Sequence, residues 1–182
     1  MTRTFILGGA RSGKSAQAQN IAAASGKEVI YLATAQSGDC EMAARIAYHR
    51  EHRDPSWKTV EVPIFLGDAI SRWSRPDRVL LVDCLTVWLS NLLFSEDRQY
   101  PQIGIIEAPA CFEMQRTAFL HSLEAPGGDI VLVSNEIGMG IIAQGAVSRW
   151  FVDEAGRLNQ AVAARCERVL WVAAGLVMTM KA

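Results

Sequence analysis

The stretch Thr4-Phe5-Ile6-Leu7-Gly8-Gly9-Ala10-Arg11-Ser12-Gly13-Lys14-Ser15 decides the fold. Its first four residues form a short apolar run that reads as a strand. Gly8 to Ser15 match Gly-x4-Gly-Lys-Ser/Thr, and the alanine-rich segment Ser15 to Ser25 that follows reads as a helix. Strand, glycine-rich loop and helix in that order make a phosphate grip. Glycines let the backbone wrap until its N–H groups face phosphate oxygens, and the N-terminus of the helix adds a positive dipole. In this geometry Gly8, Gly9, Ala10, Arg11, Ser12 and Gly13 cradle a nucleotide. Lys14 reaches the β and γ phosphates of ATP or GTP, and the Ser15 hydroxyl joins a Mg²⁺ shell.

Outward from this loop the chain repeats the same alternation. Further strand-like runs lie at Glu28 to Leu32, Val79 to Val82, Ile130 to Val133 and Val169 to Val172. They are apolar almost throughout, as in strands buried on both faces of a parallel sheet. Helical stretches are expected at Glu41 to Arg53, Leu85 to Phe94 and Asp153 to Arg168. A short run at Thr59 to Val62 reads as an edge strand, and Gly175 to Lys181 as the return of a C-terminal hairpin. Ser95 to Pro109, with two prolines, reads as a loop. The expectation is an α/β fold, a mostly parallel sheet flanked by helices, with residues 1–182 as a single nucleotide-binding domain.

The totals narrow the class. Half of the 182 residues are hydrophobic and the formal net charge is -1, which offers no overall electrostatic case for nucleic acid. No segment reaches the ~20 apolar residues of a membrane span, so no membrane insertion is expected. Four scattered cysteines without metal-ligand spacing read as reduced thiols, and the N-terminus lacks a signal-peptide core; both point to the cytoplasm.

Three further constellations carry candidate chemistry. Asp83 ends the run Val79-Leu80-Leu81-Val82, on the sheet edge that also bears the phosphate loop. It is suited to hold Mg²⁺ or orient an attacking hydroxyl; the plainer alternative is a cap for the helix starting near Leu85. On a helix, Met42, Arg45, Ile46, His49 and Arg53 share a face, which sets a histidine between two arginines. Neutral imidazole is a nucleophile toward phosphorus and arginines neutralise phosphate, although a charge-laced solvated face has the same pattern. Ser134-Asn135-Glu136-Ile137-Gly138-Met139-Gly140 follows a strand and fits a substrate loop or a capped turn equally well.

Taken together, GGARSGKS at 8–15, EMAARIAYHREHR at 41–53, WKTVE at 57–61, LLVDCLTVWLSNLL at 80–93, VSNEIGMGI at 133–141 and FVDEAGRLNQ at 151–160 resemble one family. It is the bifunctional adenosylcobinamide kinase/adenosylcobinamide-phosphate guanylyltransferase. The resemblance implies a RecA-like P-loop NTPase fold and a homotrimer. It implies phosphorylation of adenosylcobinamide by ATP or GTP, then transfer of GMP from GTP to adenosylcobinamide phosphate. It also implies a covalent histidine adduct at His49. Arg50, Glu51, His52 and Arg53 match the nucleotide-contacting stretch, and Thr34, Ala35, Glu61 and Asp83 are expected near the nucleotide. Glu61 is suited to accept from guanine N–H groups. A kinase without a covalent step, needing only Lys14, Ser15 and Asp83, and a nucleotide-binding regulatory module are the rival classes.

Overall fold

The computed structural model describes residues 1–36, 40–51, 53–141 and 143–182; the side chains of Glu41, Met42, Arg45, Tyr48 and His49 lie outside the description. In chain order the elements are β1 (Arg3–Gly8), α1 (Lys14–Ala24), β2 (Glu28–Ala33), α2 (Cys40–Glu51), β3 (Lys58–Glu61), α3 (Leu66–Trp73), β4 (Arg78–Asp83) and α4 (Leu85–Leu93). Then follow α5 (Ala110–Ser122), β5 (Asp129–Asn135), α6 (Ala146–Arg165), β6 (Arg168–Ala173) and β7 (Leu176–Lys181). The strands form one sheet in the order β3-β2-β4-β5-β1-β6-β7. Strands β1 to β6 run parallel and β7 returns antiparallel on β6.

Continuous apolar runs in the sequence have the expected cause: the inner strands are covered on both faces. Phe5, Leu32, Leu80 and Leu132 point to one side, where Leu66 and Ile70 of α3, Trp88 of α4, Phe112 and Phe119 of α5 and Leu158 of α6 meet them. Their neighbours Ile6, Tyr31, Leu81 and Val133 point to the other side, against Ala18 and Ala22 of α1. The small alanine side chains let α1 lie close to the sheet, so the helix that begins at the phosphate loop is anchored along its length.

The parallel register brings six strand ends to one edge. Ala33 is paired with both Glu61 and Asp83, and Gly8 is paired with both Asn135 and Val172. In an open parallel sheet this carboxyl edge is where ligands bind. Strand β5 lies between β1 and β4, so the segment Ser134 to Glu136 emerges between the phosphate loop and Asp83.

One expectation needs correction. Helix α6 begins at Ala146, seven residues before Asp153, because Ala146 is buried with Leu93 and Ile106 and extends the helix back to Gly145. Helices α3 and α5 have no counterpart among the elements expected from the sequence. Each starts without a side-chain cap, at Phe65 and Pro109 respectively, and each is held by tertiary burial.

Candidate active site

The phosphate loop leaves β1 at Gly8, where a side chain has no room: a Cβ there would lie 2.3 Å from the carbonyl oxygen of Val172 and 2.6 Å from Ser12 Oγ. Arg11 and Gly13 both take left-handed backbone, at φ 56° and 98°. Helix α1 then starts with no side-chain cap, which leaves its first N–H groups facing the loop. Lys14 is only 8% exposed and its Nζ donates to the Gly9 carbonyl at 2.9 Å. Burial lowers the Lys14 ammonium from its ordinary value, while Cys84 and Asp83 act in the opposite sense. Ser12 Oγ is buried and has no partner. A buried hydroxyl left without a partner in such a loop is suited to donate to an oxyanion. Ser15, one residue into the helix and half-buried, stands at the mouth of the loop.

Asp83 ends β4 on the same edge. The cap of α4 is Cys84, with no side-chain capping bond, so Asp83 is not spent on the helix. One of its oxygens, Oδ2, accepts from the hydroxyl of Tyr31 at 3.1 Å. Tyr31 is 3% exposed, and burial, reinforced by the charge of Asp83, pushes its hydroxyl well above the ordinary range. It therefore remains a proton donor. The Tyr31 ring also carries the guanidinium of Arg53, whose Cζ is 3.2 Å from the ring centroid.

Arg53 belongs to a second part of the site. Its Nη1 donates to Thr59 Oγ1 at 2.7 Å, and its Nε is buried without a partner. Arg50, at the end of α2, pairs with Glu61 at 2.8 Å. Arg50, Arg53, Trp57, Thr59 and Glu61 line an open cleft of about 430 Å³. Its two arginines, an indole and a carboxylate supply partners for phosphate, a planar base and base N–H groups respectively. Glu51 is exposed on α2; His52 lies outside the described residues, and so does the side chain of His49, whose backbone is in α2.

Thr34 is fully buried, and its hydroxyl both donates to the Cys84 carbonyl and accepts from the Cys84 N–H, each at 2.9 Å. Asn91 Nδ2 holds the Thr34 carbonyl at 2.7 Å. These bonds fix the β2 and β4 loops against each other, with half-buried Ala35 next along the chain. Cys84 itself is buried, and its thiol is pushed up to about 12, first by burial and then by Asp83. It is not a nucleophile near neutral pH. Thr86 connects the third constellation: its Oγ1 accepts from the Asn135 N–H at 2.8 Å and lies 3.2 Å from Ser134 Oγ. Tyr31 and Asn91 are not legible in the sequence, since their partners are remote along the chain; Thr59, six residues from its partner Arg53, carries no motif of its own.

Among the described residues no cluster of three or more His, Cys, Asp or Glu is arranged to hold a metal, and no helix is long and apolar enough to cross a membrane. A Mg²⁺ that travels with nucleotide needs less than such a cluster: one or two oxygen donors and the phosphates themselves. Ser15 Oγ and the Asp83 carboxylate are hard oxygen donors of this type. The second oxygen of Asp83 has no hydrogen-bond partner among the described residues, which fits a metal shell.

A family model described as cobinamide kinase / cobinamide phosphate guanyltransferase matches residues 4–180. The bifunctional adenosylcobalamin biosynthesis protein CobP of Pseudomonas aeruginosa is 49% identical over 179 residues, covering 98% of this chain and 97% of that protein. The bifunctional adenosylcobalamin biosynthesis protein CobU of Escherichia coli is 37% identical over 181 residues, covering 97% and 98%. Solved structures of more distant proteins share the fold. The RadB recombinase superposes with a TM-score of 0.50 at 15% identity, over 93% of this chain and 73% of that one. The type III secretion ATPase EscN of enteropathogenic E. coli gives 0.54 at 13% identity, over 95% and 43%. These likenesses establish a RecA-like P-loop fold and nothing finer. Sequence match along nearly the whole length is a different matter, and by it the chain belongs to the cobinamide kinase / cobinamide phosphate guanyltransferase family.

Proposed function

We propose that this protein phosphorylates adenosylcobinamide with ATP or GTP and then transfers GMP from GTP to the resulting phosphate, through a guanylylated His49. Kinase and guanylyltransferase are the two activities of its family, in adenosylcobalamin biosynthesis. The observation that carries the finer reading is the Arg50–Glu61 pair. It joins the C-terminal end of α2, the helix that contains His49, to the end of the outer strand β3, on the same carboxyl edge of the sheet as the phosphate loop.

In the kinase step Lys14 and the loop N–H groups hold the β and γ phosphates, and Asp83 is suited to take the proton of the attacking hydroxyl. In the second step a neutral His49 nitrogen attacks the α-phosphorus of GTP. A P–N bond forms, the bond from that phosphorus to the β-bridging oxygen breaks, and pyrophosphate leaves. A phosphate oxygen of adenosylcobinamide phosphate then attacks the same phosphorus, the P–N bond breaks, and adenosylcobinamide-GDP departs with the histidine restored. Arg50 and Arg53 neutralise the α-phosphate and orient it toward α2, with Glu61 reading guanine. Mg²⁺ held by Ser15 and Asp83 would supply charge neutralisation for the β and γ oxygens. Glu51 and His52 complete the stretch that borders the nucleotide, while Thr34 and Ala35 form its floor.

The one sheet to which all seven described strands belong supports reading residues 1–182 as a single domain. A homotrimer, as the resemblance implies, is supported by β7, an edge strand whose Leu176, Met178 and Met180 are all exposed. The cysteines, all four free and two of them buried, support a reducing cytoplasmic setting.

The test is GTP labelled at the α-phosphorus, mixed with protein and Mg²⁺ and followed by intact-mass analysis. An added GMP that is acid-labile, base-stable and lost in His49→Ala is the expected result. Absence of an adduct, or an undiminished adduct in His49→Ala, overturns the covalent route.

A further inference from the structure

Tyr31 has a place that neither the loop motif nor the histidine helix explains. It is a strand residue on the α1 face of the sheet, next to the buried Leu81 and Ile30, and aliphatic side chains fill most comparable positions. Its two ends meet different parts of the site. The hydroxyl donates to Asp83 Oδ2 at 3.1 Å, and the ring face lies 3.2 Å beneath the Arg53 guanidinium. Arg53 Nη1 also donates to Thr59 Oγ1 at 2.7 Å.

We infer that Tyr31 is a positioning residue for both halves of the nucleotide site: its hydroxyl sets the rotamer of Asp83 toward the phosphate loop, and its ring is the platform that fixes Arg53. The physical case rests on what each partner lacks. An aspartate at a strand end has two oxygens that exchange by rotation. A single neutral donor on Oδ2 stops that rotation and leaves the other oxygen for a metal shell. The donor must be neutral and apolar-bodied, since it is buried; a lysine there would neutralise the charge that Mg²⁺ requires. Arg53, with its Nε buried and unpartnered, needs a face that accepts a cation without competing for its N–H groups. An aromatic ring does this, and leaves for phosphate the guanidinium N–H groups that are neither bound to Thr59 nor buried. The same side chain thus ties the geometry of the α-phosphate contacts to that of the metal-side carboxylate.

This inference rests on reading Asp83 as a Mg²⁺-side carboxylate and Arg53 as a nucleotide contact. The experiment uses Tyr31→Phe, which keeps the ring and removes only the hydroxyl, with Asp83→Asn as its reference. Binding of a GTP analogue with a methylene group between the α and β phosphorus atoms is measured by calorimetry, in EDTA and across a Mg²⁺ titration. No GMP can leave this analogue, so binding is read without turnover. For Tyr31→Phe the Mg²⁺ concentration giving half of the affinity gain should rise about tenfold, the lower range for loss of an outer-shell partner of a metal ligand. Affinity in EDTA should be unchanged, and excess Mg²⁺ should restore both the adduct yield and the kinase rate. The double variant should be no worse than Asp83→Asn. Wild-type Mg²⁺ dependence in Tyr31→Phe, with Asp83→Asn shifted, overturns the role of Tyr31 alone. Equal losses with and without Mg²⁺ also overturn it, since they mark a general packing role. An unshifted Asp83→Asn overturns the metal reading on which both depend.

Discussion

The backbone N–H of Gly175 donates to the carbonyl of Ser12 at 2.8 Å, so the turn of the C-terminal hairpin rests on the phosphate loop. Gly13, the loop glycine at φ 98°, lies against it: a Cβ on Gly13 would be 3.2 Å from the α-carbon of Gly175. Gly175 is also left-handed, at φ 78°, but a Cβ there meets nothing within 4 Å. Gly175→Ala should therefore cost about 1 kcal/mol from backbone strain alone. Gly13→Ala adds a tight contact with Gly175 to that strain and should lower stability further and weaken GTP binding at least tenfold. Equal melting temperatures and nucleotide affinities for the two variants would show that the hairpin does not buttress the loop.

Lys14 is the one buried cation of the loop, and in the proposed mechanism both reactions draw on its grip on the β and γ phosphates. Lys14→Ala should reduce the kinase rate and the rate of GMP adduct formation together, by about 10²- to 10³-fold, as for removal of a preorganised electrostatic partner. Single-turnover rates for the two steps make the comparison. A variant that loses one step and keeps the other would separate two nucleotide sites.

Glu61 is two-thirds exposed, with its side chain at 67%, so its pair with Arg50 contributes little to stability, roughly 0–1 kcal/mol. Its predicted effect is on base choice. Glu61→Ala should weaken GTP by about 10-fold or more, in line with loss of hydrogen bonds to a charged acceptor, and should lessen the preference for GTP over ITP, which lacks the 2-amino group. Melting curves should be nearly superimposable on those of the parent. A retained GTP preference would remove guanine recognition from this residue.

Thr34 closes two backbone bonds of Cys84 with one hydroxyl. Thr34→Val keeps the shape and leaves a buried N–H and a buried carbonyl without that partner, at a cost of about 1–3 kcal/mol. Denaturant unfolding gives the value directly. A change below the error of the midpoint would mean that water or a shifted loop replaces the hydroxyl.

Acid sensitivity has a specific source in Glu167. Its carboxylate accepts from the Arg3 side chain and from the Arg3 backbone N–H at 2.7 Å, which holds its pKa down from 4.5 to about 2. Because the folded value is depressed, this contribution is present in full above the unfolded pKa and is lost as pH falls through the folded one. Glu167→Gln should thus be less stable than the parent at neutral pH, and the gap should close between about pH 4.5 and 2. Melting temperatures across that window test it, and a gap independent of pH would assign the difference to packing.

Much of this architecture is legible in the chain because a buried parallel strand is apolar at every position and a phosphate loop is glycine-rich for steric reasons. Both signals are local. The helices α3 and α5 escape such reading: no capping side chain marks their starts, and burial of Leu66, Ile70, Phe112 and Phe119 against the sheet is a tertiary fact. Within the site, Lys14 and Asp83 can be recognised from the segments around them. Tyr31 cannot, because its hydroxyl partner lies 52 residues away and the run Glu28 to Ala33 reads as an ordinary strand. The early start of α6 rests on tertiary contact, since Ala146 is buried against Leu93 and Ile106 with Val147, Trp150 and Phe151 packed on them.

The strand order has one more consequence. With β5 set between β1 and β4, the ends of the latter two are separated by two inter-strand spacings, roughly 10 Å. A triphosphate with its cation has the length and charge to bridge that distance, joined to the loop at one end and to Asp83 at the other. In the proposed binding mode the nucleotide would act as a strut across the open rim of the sheet as well as a reactant. By mass action, nucleotide at a hundred times its dissociation constant would add about 2.7 kcal/mol to the folded state. The durability of this enzyme would accordingly follow the supply of its own substrate, falling when the nucleotide pool is drained and recovering when it refills.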